Sequence, residues 1–435
     1  MGNVDQNAIR RHPNTESCPS CSGDCGSGPA MTAWRSAMRT RSGRVLRFGE
    51  VTLPASKSES NRALMIAAYG GFTPDFQKLS DSNDTQVLNE ALVSMSFQRG
   101  VVRSRESMHT KASFIDIADC GTAARFMTTY LACHEGEWIL TGTERMKQRP
   151  ILPLVKSLRE LGADIQFVEK EGCMPLRIKG KPISGGKVRI EMHQSSQFAS
   201  SLLLAAPMWP KGLEMDLIGE LTSMPYLEMT LAMMRHFGAE VERNGRTISV
   251  NPKPYQSNSF VVSGDWSAAS YWYEMAALSE ECEIRLWGLS LSSLQGDVVI
   301  VDWMKQLGVG TFVEKDAIVL RKIPFEKHSV CFDFAAHPDL YPTMSATCAG
   351  LNNDATFTGL DNLALKESDR VGAMQAELSK LGSRPLHFCA HNDHRIVMAL
   401  APLALLYGAV DFDHPEVVEK SYPGFWSNCP FLHAF

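Results

Sequence analysis

Residues 54–69 read "PASKSESNRALMIAAY": a lysine, an arginine, hydroxyls, an amide and a carboxylate crowd into a short stretch that runs straight into an apolar one. Five further stretches have the same form: "CGTAARFMTTYLAC" (120–133), "SSQFASSLLLAAP" (195–207), "GDWSAASYWYEMAAL" (264–278), "HPDLYPTMSATCAGL" (337–351) and "HNDHRIVMALAPLAL" (391–405). Each opens polar and becomes a nearly continuous apolar helix pattern. A helix apolar on most of its faces is a buried one. Six such helices at roughly constant spacing predict six similar βαβ-type units, three per domain. Four other segments, "LVKSLRELGADIQF", "MTLAMMRHFGAEVER", "VDWMKQLGVGTFV" and "MQAELSKLGSRPL", bring a helical pattern to a glycine. These glycines, Gly162, Gly238, Gly308 and Gly382, lie 76, 70 and 74 residues apart. Glycine at that point predicts a left-handed helix stop, and three of the four segments run on into a strand-like stretch. The strand-like "RVLRFGEVTL" (44–53) is expected to complete the sixth unit, which lacks a full set of elements after it.

Core helices alone account for the apolar runs. They do not account for Lys57, Arg62, Arg125, Gln197, Asp339, Asp393 and Arg395 gathering at the polar openings. A helix amino terminus carries unpaired N–H groups and about half a positive charge, and so attracts anions. If the buried helices aim those ends at the gap between two domains, the gap is an anion site.

The chain has 435 residues, more than one core usually holds, so two domains are expected. The net charge of −5, from 43 basic and 48 acidic residues, gives no general attraction to nucleic acid or to an acidic membrane. Neither is expected as a partner, and any anion site must be local. The apolar stretches are too short or too interrupted to span a bilayer. Eleven cysteines, mostly inside apolar runs, suit reduced thiols in a cytoplasmic protein. Residues 1–37 are polar, rich in Gly, Ser and Pro, and aperiodic, so a disordered extension is expected there. Cys18, Cys21 and Cys25 lack the second ligand pair of a zinc signature, and the extension lacks the apolar core of a secretory signal. No metal site and no cofactor are expected.

Seven motifs in order, "PASKSESNRAL", "GTAARF", "RMKQRPI", "SSQFASSLLLAAP", "LKESDR", "NDHR" and "KSYPGFW", make the chain resemble the 5-enolpyruvylshikimate-3-phosphate synthase family from about residue 45 to the end. The resemblance implies an α/β fold of two domains in an inverted barrel-like arrangement. Each domain would hold three βαβαββ units around buried helices, with the active site in the cleft between them. The first domain would comprise 38–56 with 264–435, and the second 57–263. The implied reaction joins shikimate 3-phosphate to phosphoenolpyruvate through a tetrahedral ketal, with phosphate leaving. A monomer is expected.

Residue by residue, the resemblance implies that Lys57, Ser58 and Arg62 form the first substrate loop, with Lys57 between the two substrates and able to move protons. Ser58 and Arg62 are four apart, which puts both on one helical face. Ser195, Ser196, Gln197 and Ser223 resemble the cluster that holds the shikimate phosphate, Gln197 also lying near the enolpyruvyl group. Asn362 and Lys366 resemble ring-hydroxyl contacts. For phosphoenolpyruvate, Gly121 would offer backbone N–H where a side chain would intrude. Arg149, Arg370 and Arg395 would grip carboxylate and phosphate in bidentate fashion. Lys420 would complete that set on a segment that orders as the cleft closes. Asp339 matches the base that takes the 5-hydroxyl proton, and Glu367 the group that protonates the methylene. Lys366 and Arg370 flank Glu367 and are expected to hold its pKa low. Asp369 is expected to be a structural partner of arginine. Asp119, Cys120 and Phe126 depart from the family's commonest pattern around Gly121.

The sequence stands against three rival readings. The enolpyruvyl transferase branch acting on UDP-N-acetylglucosamine carries a cysteine shortly before the arginine at 149, and here no cysteine lies between Cys133 and Cys173. An RNA-processing protein built from the same units would need a basic face, which the net charge opposes. A scaffold without activity would not need the full set of cations and both carboxylates.

Overall fold

The computed structural model describes residues 45–73, 75–100, 112–383 and 385–429. The extension with Cys18, Cys21 and Cys25 lies outside the described residues. All six buried helices are present: α1 Lys57–Gly70, α2 Gly121–Ala132, α3 Ser196–Ala205, α4 Trp266–Leu278, α5 Tyr341–Leu351 and α6 His394–Leu400. Burial is nearly complete along them. In α2 only Thr122 is not buried, in α3 only Gln197, and in α4 every residue is buried. In α2 and α3 the exceptions sit in the first turn, so the open end of these two helices is the amino end.

Side chains close most of those ends. Ser56 accepts from Glu59 N at 3.2 Å, Cys120 Sγ from Ala123 N at 3.3 Å, Ser195 from Gln197 N at 3.2 Å, Asp265 from Ala268 N at 3.1 Å, and Asp393 from Arg395 N at 3.0 Å. Such caps stabilise a helix by about 0.5–2 kcal/mol each. The start of α5 differs. A 3-10 turn, Pro338–Leu340, precedes it, and Asp339 in that turn does not cap the helix. Its carboxylate is left for other partners.

Three four-stranded sheets repeat one topology. Strands 113–116 and 136–141 run parallel, and 176–180 and then 164–167 add antiparallel. Strands 186–191, 213–218, 247–250 and 241–244 do the same, as do 45–52, 281–287, 317–322 and 309–314. Three parallel two-stranded pairs accompany them: 76–77 with 260–261, 330–333 with 355–358, and 386–388 with 410–412. A parallel pair needs a crossover, and a buried helix supplies it.

Two expectations are corrected. The strand at 45–52 does not complete the sixth unit; it pairs in parallel with 281–287, the strand that follows α4. The cause is an exchange where the chain passes beside itself. Ala55 bridges Gly264, Ser56 N donates to Ser263 O at 2.8 Å, and Asp265 N donates to Pro54 O at 2.9 Å. The strand before α1 therefore serves the sheet of α4, and the strand before α4, 260–261, pairs with 76–77 after α1. Gly162, Gly238 and Gly308 have the expected positive φ of 96°, 87° and 84°. Gly382 does not: its helix ends at Leu378, and the chain has already turned at Ser379–Leu381.

One continuous apolar cluster runs from Ala63 to Tyr255. Phe198, Leu202, Leu203 and Leu204 of α3 are fully buried in it, each side chain contributing about 1.5–3 kcal/mol of burial.

Candidate active site

The amino ends of α1, α2, α3, α5 and α6 meet at one cleft of about 660 Å³, lined by Lys57, Ser58, Arg62, Asp84, Gly121, Thr122, Arg149, Ser195, Ser196, Gln197, Ser223, Tyr226, Asp339, Lys366, Glu367, Arg370, His394 and Arg395. Fourteen of the sixteen residues expected from sequence line it; Asn362 and Lys420 do not. Asn362 is buried at the start of the turn Leu363–Leu365. Lys420 stands one carboxylate away: its Nζ reaches Asp84 Oδ1 at 3.0 Å and Asp119 Oδ2 at 2.8 Å, and Asp84 Oδ2 takes Lys57 Nζ at 2.8 Å. Burial alone would raise Asp84, but Lys420 and Lys57 outweigh it and hold the carboxyl below its ordinary range.

Arg370 organises the acidic side. It is 1% exposed, and its Nε donates to Asp393 Oδ2 at 2.8 Å, Nη1 to Asp339 Oδ1 at 2.8 Å and Nη2 to Glu367 Oε2 at 2.7 Å. Arg395 Nη2 donates to Asp339 Oδ2 at 2.7 Å, and Lys366 Nζ stands 3.9 Å from Oδ1. Against burial, which would raise it, Arg395, Lys366 and Arg370 hold Asp339 well below the usual carboxylate range. Glu367 is also held far down against burial, by Arg149 first, then Arg370 and Lys420. Of the two neighbours expected to do this, Arg370 does and Lys366 is not among the main causes; Arg149, whose Nη1 lies 3.5 Å from Oε1, is a cation that sequence did not point to for this work. The expected arginine partner, Asp369, instead caps the helix Arg370–Leu378 by accepting from Gly372 N at 3.2 Å. The buried partner is Asp393.

On the opposite side Arg62 has no carboxylate among its hydrogen-bond acceptors. Arg62 donates from Nε to Thr230 Oγ1 at 2.7 Å, from Nη1 to Ser58 O at 2.9 Å and from Nη2 to Tyr226 O at 3.1 Å. Its guanidinium also lies over the Phe126 ring, 5.8 Å from the centroid, so the departure at 126 becomes a packing surface. Gln197 Nε2 donates to Thr122 Oγ1 at 3.2 Å. Ser223 has a φ of 54° and donates its backbone N–H to Ala335 O at 2.7 Å. A Cβ on Gly121 would fall 2.7 Å from Arg149 Nη1 and 3.1 Å from Arg125 Nη1.

Asp84, Thr122, Tyr226 and His394 line the cleft without being expected from sequence. Thr122 and His394 lie inside quoted motifs, so the signal was present. Asp84 opens a helix, Asn83–Gly100, that is not apolar on all faces, so it fell outside the sixfold pattern. The His394 ring is 1% exposed, and neither nitrogen has a hydrogen-bond partner. Burial, with Lys57 and Arg395 nearby, keeps it neutral, well below the usual histidine range.

A family profile described as EPSP synthase (3-phosphoshikimate 1-carboxyvinyltransferase) matches residues 44–429. A 3-phosphoshikimate 1-carboxyvinyltransferase of Bacteroides fragilis (strain YCH46) is 41% identical over 400 residues, covering 87% of this chain and 93% of that protein. Another, of Haemophilus influenzae (strain PittEE), is 34% identical over 414 residues, covering 87% and 95%. The solved EPSP synthase of Acinetobacter baumannii superposes with a TM-score of 0.67 at 21% identity, over 89% of this chain and 96% of that one. The enolpyruvyl transferase NikO of Streptomyces tendae gives 0.63 at 14% identity, over 90% and 96%. At those identities the two structures speak to the fold alone.

Proposed function

The chain belongs to the EPSP synthase family, and we propose that the cleft at the five helix ends is its active site, with the residues named from sequence in the roles given there. The enzyme transfers the enolpyruvyl group of phosphoenolpyruvate to the 5-hydroxyl of shikimate 3-phosphate and releases phosphate, a step of the shikimate pathway toward aromatic amino acids. The observation that carries the assignment of the site is that one guanidinium, Arg370, donates to both Asp339 and Glu367. Two acid–base groups held from one point keep a fixed separation, as proton transfer at two positions of one adduct requires.

Asp339 is ionised, and it can take the 5-hydroxyl proton once substrate anions offset Arg395, Lys366 and Arg370, which hold it low. Glu367 is ionised too, so it can protonate the methylene only after gaining a proton. Substrate phosphate and carboxylate supply the cause: as they neutralise Arg149 and Arg370, Glu367 loses what held it low. Lys57, Gly121, Arg149, Gln197, Arg370, Arg395 and Lys420 would serve phosphoenolpyruvate. Lys57, Ser58, Arg62, Ser195, Ser196, Gln197, Ser223, Asp339, Asn362 and Lys366 would serve shikimate 3-phosphate. One apolar cluster lies wholly within 63–255, inside the range 57–263, which supports the two domains expected from sequence. No helix among the described residues is long and apolar enough to cross a membrane. The eight cysteines of the described residues are free thiols, in keeping with the cytoplasm.

Phosphate release tests the reading. It should require shikimate 3-phosphate together with phosphoenolpyruvate. Release with UDP-N-acetylglucosamine in place of shikimate 3-phosphate would overturn it.

A further inference from the structure

The turn Thr143–Arg149 presents two arginines to the same residue of the opposite wall. It is anchored from below: Thr143 N donates to Ala118 O at 2.9 Å, Met146 is 1% exposed, and Arg125 Nη1 reaches Met146 Sδ at 3.7 Å. From this base Arg149 faces the Glu367 carboxylate. Arg145, which does not line the cleft, reaches the backbone behind it. Its Nε donates to Glu367 O at 3.0 Å, and its Nη2 to Lys366 O at 2.8 Å and Ala364 O at 3.4 Å. These three carbonyls lie at the end of the short turn Leu363–Leu365, where backbone acceptors lack partners of their own. A planar guanidinium with five donors can meet several of them at once, whereas an ammonium cannot do so in fixed geometry. The contacts span more than two hundred residues of sequence and join the wall made by 57–263 to the loop that carries Lys366 and Glu367.

We propose that Arg145 is a positioning residue: it seats the loop 364–367 across the cleft and thereby fixes where the Glu367 carboxylate lies between Arg149 and Arg370. The inference rests on Glu367 being the proton donor. Arg145 touches neither the cleft nor a reacting atom, so it acts through that loop. Without it, the loop loses its donors and Glu367 drifts from the two guanidinium groups that set its proton affinity.

The test uses the full chain with Arg145→Ala, Arg145→Lys, Glu367→Gln and the double variant Arg145→Ala/Glu367→Gln. Solution scattering with saturating shikimate 3-phosphate is recorded beside kcat and both KM values. Arg145→Ala should lower kcat by about tenfold to a hundredfold, the loss typical of charge-assisted bonds. The shikimate 3-phosphate KM should stay within about twofold, and the compaction on ligand should shrink. Arg145→Lys should recover part of kcat, since it keeps the charge and one bond, and it serves if the alanine variant folds poorly. In the Glu367→Gln background, removing Arg145 should cost little more. Wild-type compaction and kcat in Arg145→Ala, or equal losses in both backgrounds, would overturn the proposal. Normal turnover of Glu367→Gln alone would remove Glu367 from the mechanism, whereas scattering of Arg145→Ala judges the seating of the loop separately.

Discussion

The two walls of the cleft handle positive charge in opposite ways. On the wall made by 57–263, Arg62 and Arg125 donate only to hydroxyls, backbone carbonyls and a thioether. Burial pushes Arg62 down to about 10, and burial with Arg149 alongside pushes Arg125 down to about 9, still charged at neutral pH. On the wall made by 264–435, Arg370 and Arg395 are equally buried but raised, because Asp393, Glu367 and Asp339 outweigh the burial. The first wall is short of negative charge and gains when an anion arrives. The second is already balanced, so an anion there competes with the acid–base carboxylates. Binding at the second wall, and at Arg149 of the first, is therefore coupled to the protonation of the catalytic groups, whereas binding at Arg62 is not.

The largest effect should come from upsetting the balanced wall. Asp339→Asn keeps the size but removes the base, so kcat should fall by about 10²–10⁴. Shikimate 3-phosphate should still bind, since Arg62 and the serines are untouched. Near-normal kcat in that variant would move the base elsewhere, with Lys57 the first candidate. Glu367→Gln should slow both turnover and exchange of the phosphoenolpyruvate methylene protons with solvent. Untouched exchange would assign the proton delivery to Lys57, whose Nζ lies on Asp84.

Next comes the contrast between walls. A truncated charge-assisted contact costs about 1.5–3 kcal/mol, roughly tenfold to over a hundredfold in affinity. Arg395→Ala should place that loss on the KM for phosphoenolpyruvate, and Arg62→Ala on the KM for shikimate 3-phosphate. Equal losses on both substrates in either variant would erase the distinction.

Sequence carried the helices and most of the site because both follow local rules. Polar openings such as Ser195–Gln197 and Asp393–Arg395 cap buried helices and face the ligand at once, so one pattern reveals both. What it could not carry was pairing between distant segments. That 45–52 joins 281–287 depends on the chain passing beside itself at Ala55 and Gly264, which no local pattern encodes. Asp84 was missed for a similar reason: its place is set by Lys57 and by Lys420, which is 336 residues away. Asp369 and Asp393 looked alike in sequence, and only packing decided which would hold Arg370.

A smaller effect probes the seam between the walls. The Cβ added in Gly121→Ala meets the flexible end of Arg149 at 2.7 Å, so the guanidinium moves and the fold survives. The phosphoenolpyruvate KM should rise by about tenfold, near 1.4 kcal/mol, with shikimate 3-phosphate little affected. An unchanged phosphoenolpyruvate KM would mean that Arg149 does not grip that substrate.

The last effect falls on stability and leaves both substrates untouched, at a buried carboxyl without a partner that lines neither wall. Glu274 in α4 is 0% exposed, and neither carboxylate oxygen has a hydrogen-bond partner. Burial raises its pKa well above the ordinary value, and the Cys348 thiol is among its neighbours. The folded chain therefore keeps a proton that the unfolded chain loses above about pH 4.3. For a group raised on folding, the stability it contributes is complete below the unfolded pKa and is lost as pH rises toward the folded one. Glu274→Met removes that dependence and the unpaired polar group together. The variant should gain about 1–3 kcal/mol at pH 8 in denaturant unfolding, less at pH 5, with turnover unchanged. A gain that is the same at both pH values would mean that Glu274 does not change protonation on folding. A loss of turnover would show that α4 transmits strain to the cleft, and the separation between core and walls would fail.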